Sequence, residues 1–285
     1  MVGAAPACAR RKAQPQATAE HVAASLVSEL AAIVPGGRWL MALRLVSDPG
    51  WHTYWQNPGD AGSPPAVEWT LPRGFRAGPI LWPTPDRMAE PPLAVYGYTG
   101  EVLLLLEMQA PLDLRPGQTV ALPAHVSWVV CRKVCMQGET ELNSRLTVSG
   151  RDPVRNPRWG ARLRSAYASL PQPMPQWRVS ARTTRTGYAL RITPPGGWRR
   201  PLAGVLFYPA RAGVIEHAAA QPLTFNGGSY TLALAKSPYG SGPATRLAGL
   251  LVSASGWDSA GTIRAMDVDV SVATQPPTRN SGERK

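Results

Sequence analysis

Proline and glycine punctuate this chain so densely that no long helix can run through it. Pro 30 and Gly 27 are scattered over 285 residues with no repeat period. Proline removes a backbone donor and clashes with the preceding helical turn, and glycine costs backbone entropy inside any regular element. What lies between the breaks is of strand length, and several runs alternate apolar and polar residues with period two. With 44% hydrophobic residues the chain has material for buried cores, so frequent turns signal many short strands rather than disorder. Ten Trp against three Phe fits the same picture, because Trp suits sheet surfaces and half-buried sites.

The runs sort into two groups. Residues 1–19 read as a disordered tail or signal remnant: "AAPAC" resembles the end of a signal segment, but polar "AQPQATAE" stands where an apolar stretch should follow "RRK". Cys8 falls in that tail. The first domain, 20–150, is expected to carry strands at 21–28, 38–47, 66–71, 96–109, 119–131 and 139–150. Residues 51–65, "WHTYWQNPGDAGSPP", read as a long loop with a strand-like start, and 77–87 as an extended stretch broken by Pro83 and Pro85. Residues 151–175 form a linker with one short helix: Asn156 as N-cap, Pro157 at the first helical position, and Trp159, Leu163, Tyr167 and Leu170 at helical spacing up to Pro171. The second domain, 176–274, repeats the strand idiom at 176–183, 187–194, 203–209, 228–236, 246–255 and 263–274. In its last run Met266, Val268, Val270 and Val272 face one way, and Asp267, Asp269 and Ser271 the other. Two antiparallel sandwiches in tandem, followed by a disordered tail at 275–285, is the economical all-β fold.

The formal net charge is +12, and most of it is Arg, since Lys occurs only at 12, 133, 236 and 285. The basic residues are spread over the chain without any nucleic-acid-binding signature, so no nucleic acid is expected as a partner. No apolar run approaches the roughly 18 residues of a membrane span, so the chain is not expected to span a membrane itself.

The chemistry concentrates in "SWVVCRKVCMQGE", 127–139, where Cys131 and Cys135 flank Arg132, Lys133 and Val134. Leu122, Ala124, Val126, Trp128 and Val130 share the core face of their strand, so period two places Cys131 on the opposite face, at the strand's end. Residues flanking a tight turn face each other at about 4.5–5.5 Å between Cα atoms, and disulfides accept about 4.4–6.8 Å. The pair can therefore close, at a reachable hairpin tip. Three readings are open: a redox pair, an inert staple, or part of a metal site. The loop is too short for much entropic stabilisation as a staple. Arg132 and Lys133 are candidates to stabilise a thiolate. For a metal site, His125 lies about 20 Å along the strand from Cys131, no second paired-cysteine half-site exists, and His52 or Glu139 would have to arrive by folding. No metal and no cofactor is expected. In "WHTYWQNPGD", Trp51, His52, Tyr54 and Trp55 read as a buried corner of the sandwich, with a partner-docking surface as the alternative; His52 reads as a structural hydrogen-bonding histidine.

"PGWHTYWQNPGDAGSPPAVEWTLPRGFRAGPILWPTPDR", followed by "YGYTGEVLLLL" and "WVVCRKVCMQGE", resembles the periplasmic N-terminal region of DsbD-type thiol:disulfide interchange proteins, and within them the ScsB-like branch associated with copper tolerance. The resemblance runs from about His21 to Gly150 with the motifs in the same order; the second domain resembles the further β-sandwich of ScsB-like regions more weakly. It implies an all-β chain of two tandem immunoglobulin-like antiparallel β-sandwiches joined by a linker with one short helix, located in the periplasm. It implies Cys131 and Cys135 as a catalytic pair shuttling between disulfide and dithiol, a thioredoxin-like oxidoreductase and a membrane electron carrier of the DsbD/CcdA type as partners, and an aromatic cap loop at 93–100 with Tyr96 and Tyr98. DsbD itself has acidic residues beside its cap aromatic where this chain has Leu93, Ala94 and Val95. The family's full-length proteins continue into a membrane-embedded carrier and a thioredoxin-like domain, so the chain reads as a separated module or a fragment. A non-catalytic partner-binding sandwich with a structural disulfide and a copper-binding accessory protein are the alternative functions.

Overall fold

In the computed structural model, the described residues are 16–19, 21–90, 92–240 and 242–273. Cys8 and the tail at 275–285 lie outside them, as does most of 1–19. The elements are β1 Gln16–Ala19, β2 Val22–Ser28, β3 Leu30–Ile33, β4 Arg38–Ser47, β5 His52–Gly59, β6 Ala66–Trp69, β7 Arg76–Ala77, β8 Asp86–Glu90, β9 Leu93–Thr99 and β10 Glu101–Gln109. The long hairpin strands β11 Thr119–Cys131 and β12 Cys135–Val148 follow, then β13 Val154–Arg155, helix α1 Gly160–Ala168 and β14 Gln172–Pro173. The chain continues through β15 Arg178–Thr183, β16 Gly187–Thr193, β17 Leu206–Pro209, β18 Leu223–Asn226, β19 Ser229–Ala235, β20 Arg246–Val252 and β21 Ala265–Ala273. The fold is all-β, built of immunoglobulin-like sandwiches, with α1 as the one α-helix among the described residues.

The chain divides into two compact units that interleave in sequence. One takes the described parts of Met1–His52, Pro65–Leu81 and Thr99–Ala168; the other takes Thr53–Pro64, Trp82–Tyr98 and the described parts of Ser169–Lys285.

In the first unit, one sheet runs β1-β2-β4-β10-β7, and the other carries β13-β3-β12-β11 with β6 also paired to β11. Pairing is antiparallel except between β12 and β3. Leu43 and Leu45 of β4, Leu104 of β10, and Leu122, Ala124 and Val126 of β11 are buried in its core. Three local features depart from the sequence reading, two of them with a visible cause. Strand β3 was not expected; the chain breaks at Glu29, where the Leu40 amide donates to the Glu29 carboxylate at 3.1 Å and the Leu30 amide donates to Ser28 Oγ at 3.1 Å. The stretch 96–109, expected to contain one apolar strand, holds parts of two, separated by Gly100 in the left-handed region at φ 64°, whose carbonyl accepts from Ser47 N at 2.9 Å. Gln16–Ala19 pairs with β2 although that stretch read as unstructured.

Helix α1 packs against β4 and β10 of the same unit. Asn156 Oδ1 accepts from the amides of Arg158 at 3.0 Å and Trp159 at 3.1 Å, so it caps the turn leading into the helix. Leu163 and Trp159 are buried, while Arg164 pairs with the buried Glu29 and Arg162 with Glu101. The Trp159 ring also lies beneath the guanidinium groups of Arg44, Arg158 and Arg162.

In the second unit, β9 lies between β5 and β8, and a further sheet runs β17-β20-β21-β15-β16-β19-β18. β8 and β9 pair antiparallel, and the further sheet is antiparallel apart from β15 and β14 against β21. The core gathers Trp177, Tyr188, Leu190, Phe207, Leu232 and Trp257. Trp177 Nε1 donates to Trp257 O at 3.0 Å and Trp257 Nε1 to Leu251 O at 2.9 Å, so both buried indoles have partners. Along β21, Met266 and Val268 are buried, Val270 and Val272 half-buried, and Asp267, Asp269 and Ser271 exposed, as the alternation requires. The stretch expected to loop from 51 is a strand as far as Gly59. Asn57 supports it, accepting from Gly59 N at 3.2 Å and donating to Pro209 O at 2.7 Å where Pro58 supplies no backbone donor.

Candidate functional site

The β11–β12 hairpin is in register for thirteen residue pairs, and its last pair is Cys131 with Cys135. Alternation fixes the approach: Leu122, Ala124, Val126, Trp128 and Val130 are all buried on the core face. Arg132, Lys133 and Val134 form the turn, closed by a bond from Arg132 N to Val134 O at 3.2 Å. The cysteines are joined as a disulfide with their Cα atoms 4.2 Å apart.

The two sulfur-bearing residues are not equivalent. Cys135 is exposed, but Cys131 is only 3% exposed. This corrects the expectation that Cys131 emerges into the open. Its place in the alternation was right, yet the end of β11 has neighbours on both sides: Cys135 on one and His52 on the other. Val134, at 62% exposed, stands at the tip.

Gly138 sits opposite Trp128, three rows below the disulfide. A Cβ there would come within 2.5 Å of the Trp128 ring, so only glycine leaves the indole room to lie across the hairpin.

The two candidate cations are placed differently. The Arg132 side chain lies over Gly50, its Nε 3.3 Å from where a Cβ would stand, while Lys133 is exposed in the turn. Gly50 belongs to the turn before β5, where Trp51 N donates to Asp48 O at 3.0 Å. Trp51 stacks on the His21 ring at 3.9 Å, and His21 Nδ1 meets Asp48 Oδ2 at 2.9 Å.

His125, the nearest metal candidate by sequence, is engaged elsewhere on the hairpin. Its Nδ1 lies 3.2 Å from Glu141 and its Nε2 3.6 Å from Glu139. Among the described residues no group of three or more His, Cys, Asp or Glu is arranged to hold a metal ion, and no helix is long and apolar enough to cross a membrane.

Tyr96 and Tyr98 belong to the second unit, in strand β9 rather than in a loop, and both are buried. Tyr96 Oη meets His217 Nδ1 at 3.2 Å, and its ring packs on Tyr208 at 4.7 Å and edge-on to Trp55 at 6.1 Å. Arg87 donates twice to His217 O, at 3.1 and 2.8 Å. Tyr98 donates to Pro83 O at 2.8 Å. Burial raises both phenols, against the opposing pull of Arg87 in the case of Tyr96, and Tyr208 is pushed up to about 12 by burial. Burial also holds the His217 imidazole below its ordinary value.

The placement of His52 beside Cys131 was missed in the sequence. The available signal was the alternation in "WHTYW"; read as a full strand, it would have sought a neighbour for His52.

Residues 23–147 match the family model described as "Thiol:disulfide interchange protein DsbD, N-terminal". No curated protein matches. The chain is similar in structure to the N-terminal periplasmic domain of ScsB from Proteus mirabilis, with a TM-score of 0.63 and 19% identity over 90% of this chain and 97% of that one. Two other solved structures share much less. The periplasmic chaperone SfaE has a TM-score of 0.21 and 10% identity, covering 88% of this chain and 100% of its own. Spo0M from Bacillus subtilis has 0.25 and 9%, covering 89% and 91%.

Proposed function

From the DsbD N-terminal family match over residues 23–147, we propose that this chain is a periplasmic thiol–disulfide relay module that exchanges electrons through Cys131 and Cys135. The observation that carries the reading is the asymmetric pair: one bond already formed at a hairpin tip, with Cys135 exposed and Cys131 buried behind it. An inert staple has no use for that asymmetry, whereas thiol–disulfide exchange does, because the rate depends on which sulfur an incoming thiolate can reach.

The reaction follows from access. The thiolate of a reduced partner attacks Cys135 Sγ in line with the disulfide. A partner–Cys135 bond forms, the Cys131–Cys135 bond breaks, and the electron pair stays on Cys131. The partner's second thiol then attacks its own sulfur in the mixed disulfide and leaves Cys131 and Cys135 as a dithiol. In the forward transfer Cys135 attacks an oxidised acceptor, and Cys131 resolves the mixed disulfide by re-forming the internal bond.

The partners we propose are thioredoxin-fold oxidoreductases, with a membrane carrier of the DsbD/CcdA type supplying the electrons. Exposed Val134 and Lys133 flank the sulfur at which a partner would arrive. Tyr96 and Tyr98 contribute by holding β9 in place, since both are buried with engaged hydroxyl groups.

The test is trapping. Reduced Cys131→Ser and Cys135→Ser proteins, each also carrying Cys8→Ser, are mixed with a thioredoxin-fold protein whose second cysteine is replaced by serine and whose remaining cysteine is activated with Ellman's reagent, and analysed on non-reducing gels. Cys131→Ser should accumulate a mixed disulfide through Cys135, and Cys135→Ser should not. Trapping by neither variant, or equally by both, would overturn the reading.

A further inference from the structure

His52, Cys131 and Cys135 occupy one row across three neighbouring strands: His52 pairs with Cys131 from β5, and Cys135 pairs with Cys131 from β12. Residues directly opposite in an antiparallel pair carry their side chains on the same face, with Cβ atoms about 4.5–5.5 Å apart. The imidazole and the Cys131 sulfur therefore share a face. Both residues are withdrawn from solvent, His52 at 7% and Cys131 at 3% exposed.

This placement answers a chemical need. When a thiolate takes Cys135, the electron pair is left on Cys131, and an anion at so buried a sulfur is penalised by desolvation. Water cannot readily deliver the proton there. Of the basic side chains nearby, Lys133 points into the open turn and Arg132 is drawn over Gly50. The group that stands in the row is His52.

We propose that His52 manages the proton of Cys131, as an imidazolium giving it to the sulfur when the disulfide is reduced and as a neutral imidazole taking it back when the bond re-forms. The proposal rests on the relay reading and adds to it a residue that the cysteine motif does not contain. In balance, the reductant thiolate loses its electron pair to a new bond with Cys135 and the Cys131–Cys135 bond breaks. Cys131 becomes a thiol, and His52 becomes neutral. Charged groups near the row include Arg132 from the turn and the His21–Asp48 pair beside Trp51.

A small dithiol, dithiothreitol, reduces the isolated protein between pH 5.5 and 9, and each rate is divided by the reductant's thiolate concentration. This readout needs no protein partner, so its failure is separable from failure of the trapping experiment. For the unaltered protein the normalised rate should be high at low pH and fall as pH rises through the imidazole titration. His52→Gln should lie at least about tenfold lower at pH 6, show no such inflection, and meet the unaltered protein near pH 9. His21→Gln should keep the inflection, which excludes the neighbouring imidazole as its source. A flat normalised profile in the unaltered protein overturns the proposal whether or not His52→Gln folds. A folded His52→Gln that retains the inflection does the same.

Discussion

Replacing Gly138 by alanine tests whether the disulfide hairpin is packed as tightly as its geometry implies. The new Cβ would stand 2.5 Å from Trp128 Cε2 and 2.7 Å from both Cζ2 and Nε1. Unstrained carbon contacts lie at about 3.5–4.0 Å, so ring and methyl must separate by about 1 Å. Trp128 is 2% exposed between buried Val126 and Val130, which leaves the indole nowhere to retreat without moving its neighbours. Overpacking of this kind costs about 1–3 kcal/mol. For a unit of this size that lowers the melting temperature by roughly 3–10 °C. The measurement is thermal unfolding by far-UV circular dichroism with the disulfide intact. Gly150→Ala serves as the control, because its Cβ would meet only Pro116 at 3.4 Å, in ordinary contact. If Gly138→Ala melts with the control, the hairpin is loose enough to absorb a methyl group, and the account of its core face is wrong.

Other outcomes follow from the same reasoning. His217 is held below its ordinary value of 6.5 by burial, so the unfolded chain takes up the proton first as pH falls. Stability of the second unit should be full above pH 6.5 and decline below it, and His217→Gln should flatten that decline in urea titrations at stepped pH. Removing the helix cap with Asn156→Ala should cost about 1 kcal/mol in chemical denaturation, with the disulfide's reduction rate unchanged.

Much of the architecture could be read from short-range pattern. Strand β4 occupies the expected 38–47, and β21 shows the expected two-faced alternation, because burial on one face is a local property of sequence. The hairpin and its bonded cysteines were legible for the same reason. Where the reading failed, the cause lay far away in sequence. Cys131 is buried and pairs with His52, a neighbour 79 positions earlier that no periodicity announces. The strand through Pro58 depends on Asn57 reaching Pro209, and Tyr96 in β9 finds its hydroxyl partner at His217. Sequence pattern shows which side chains face the core, but not which distant segments close over the other face.

The interleaving of the two units bears on how this molecule can be cut. A chain ended at Gly150 would retain Thr53–Pro64 and Trp82–Tyr98 but discard the partners those segments are built against. Trp55 and Tyr96 would be stripped of Tyr208 and His217, and Asn57 of its acceptor at Pro209. The cut would therefore leave buried aromatic and amide groups without the neighbours they fold against, so a truncation meant to isolate the cysteine hairpin has to keep the later residues that complete those contacts.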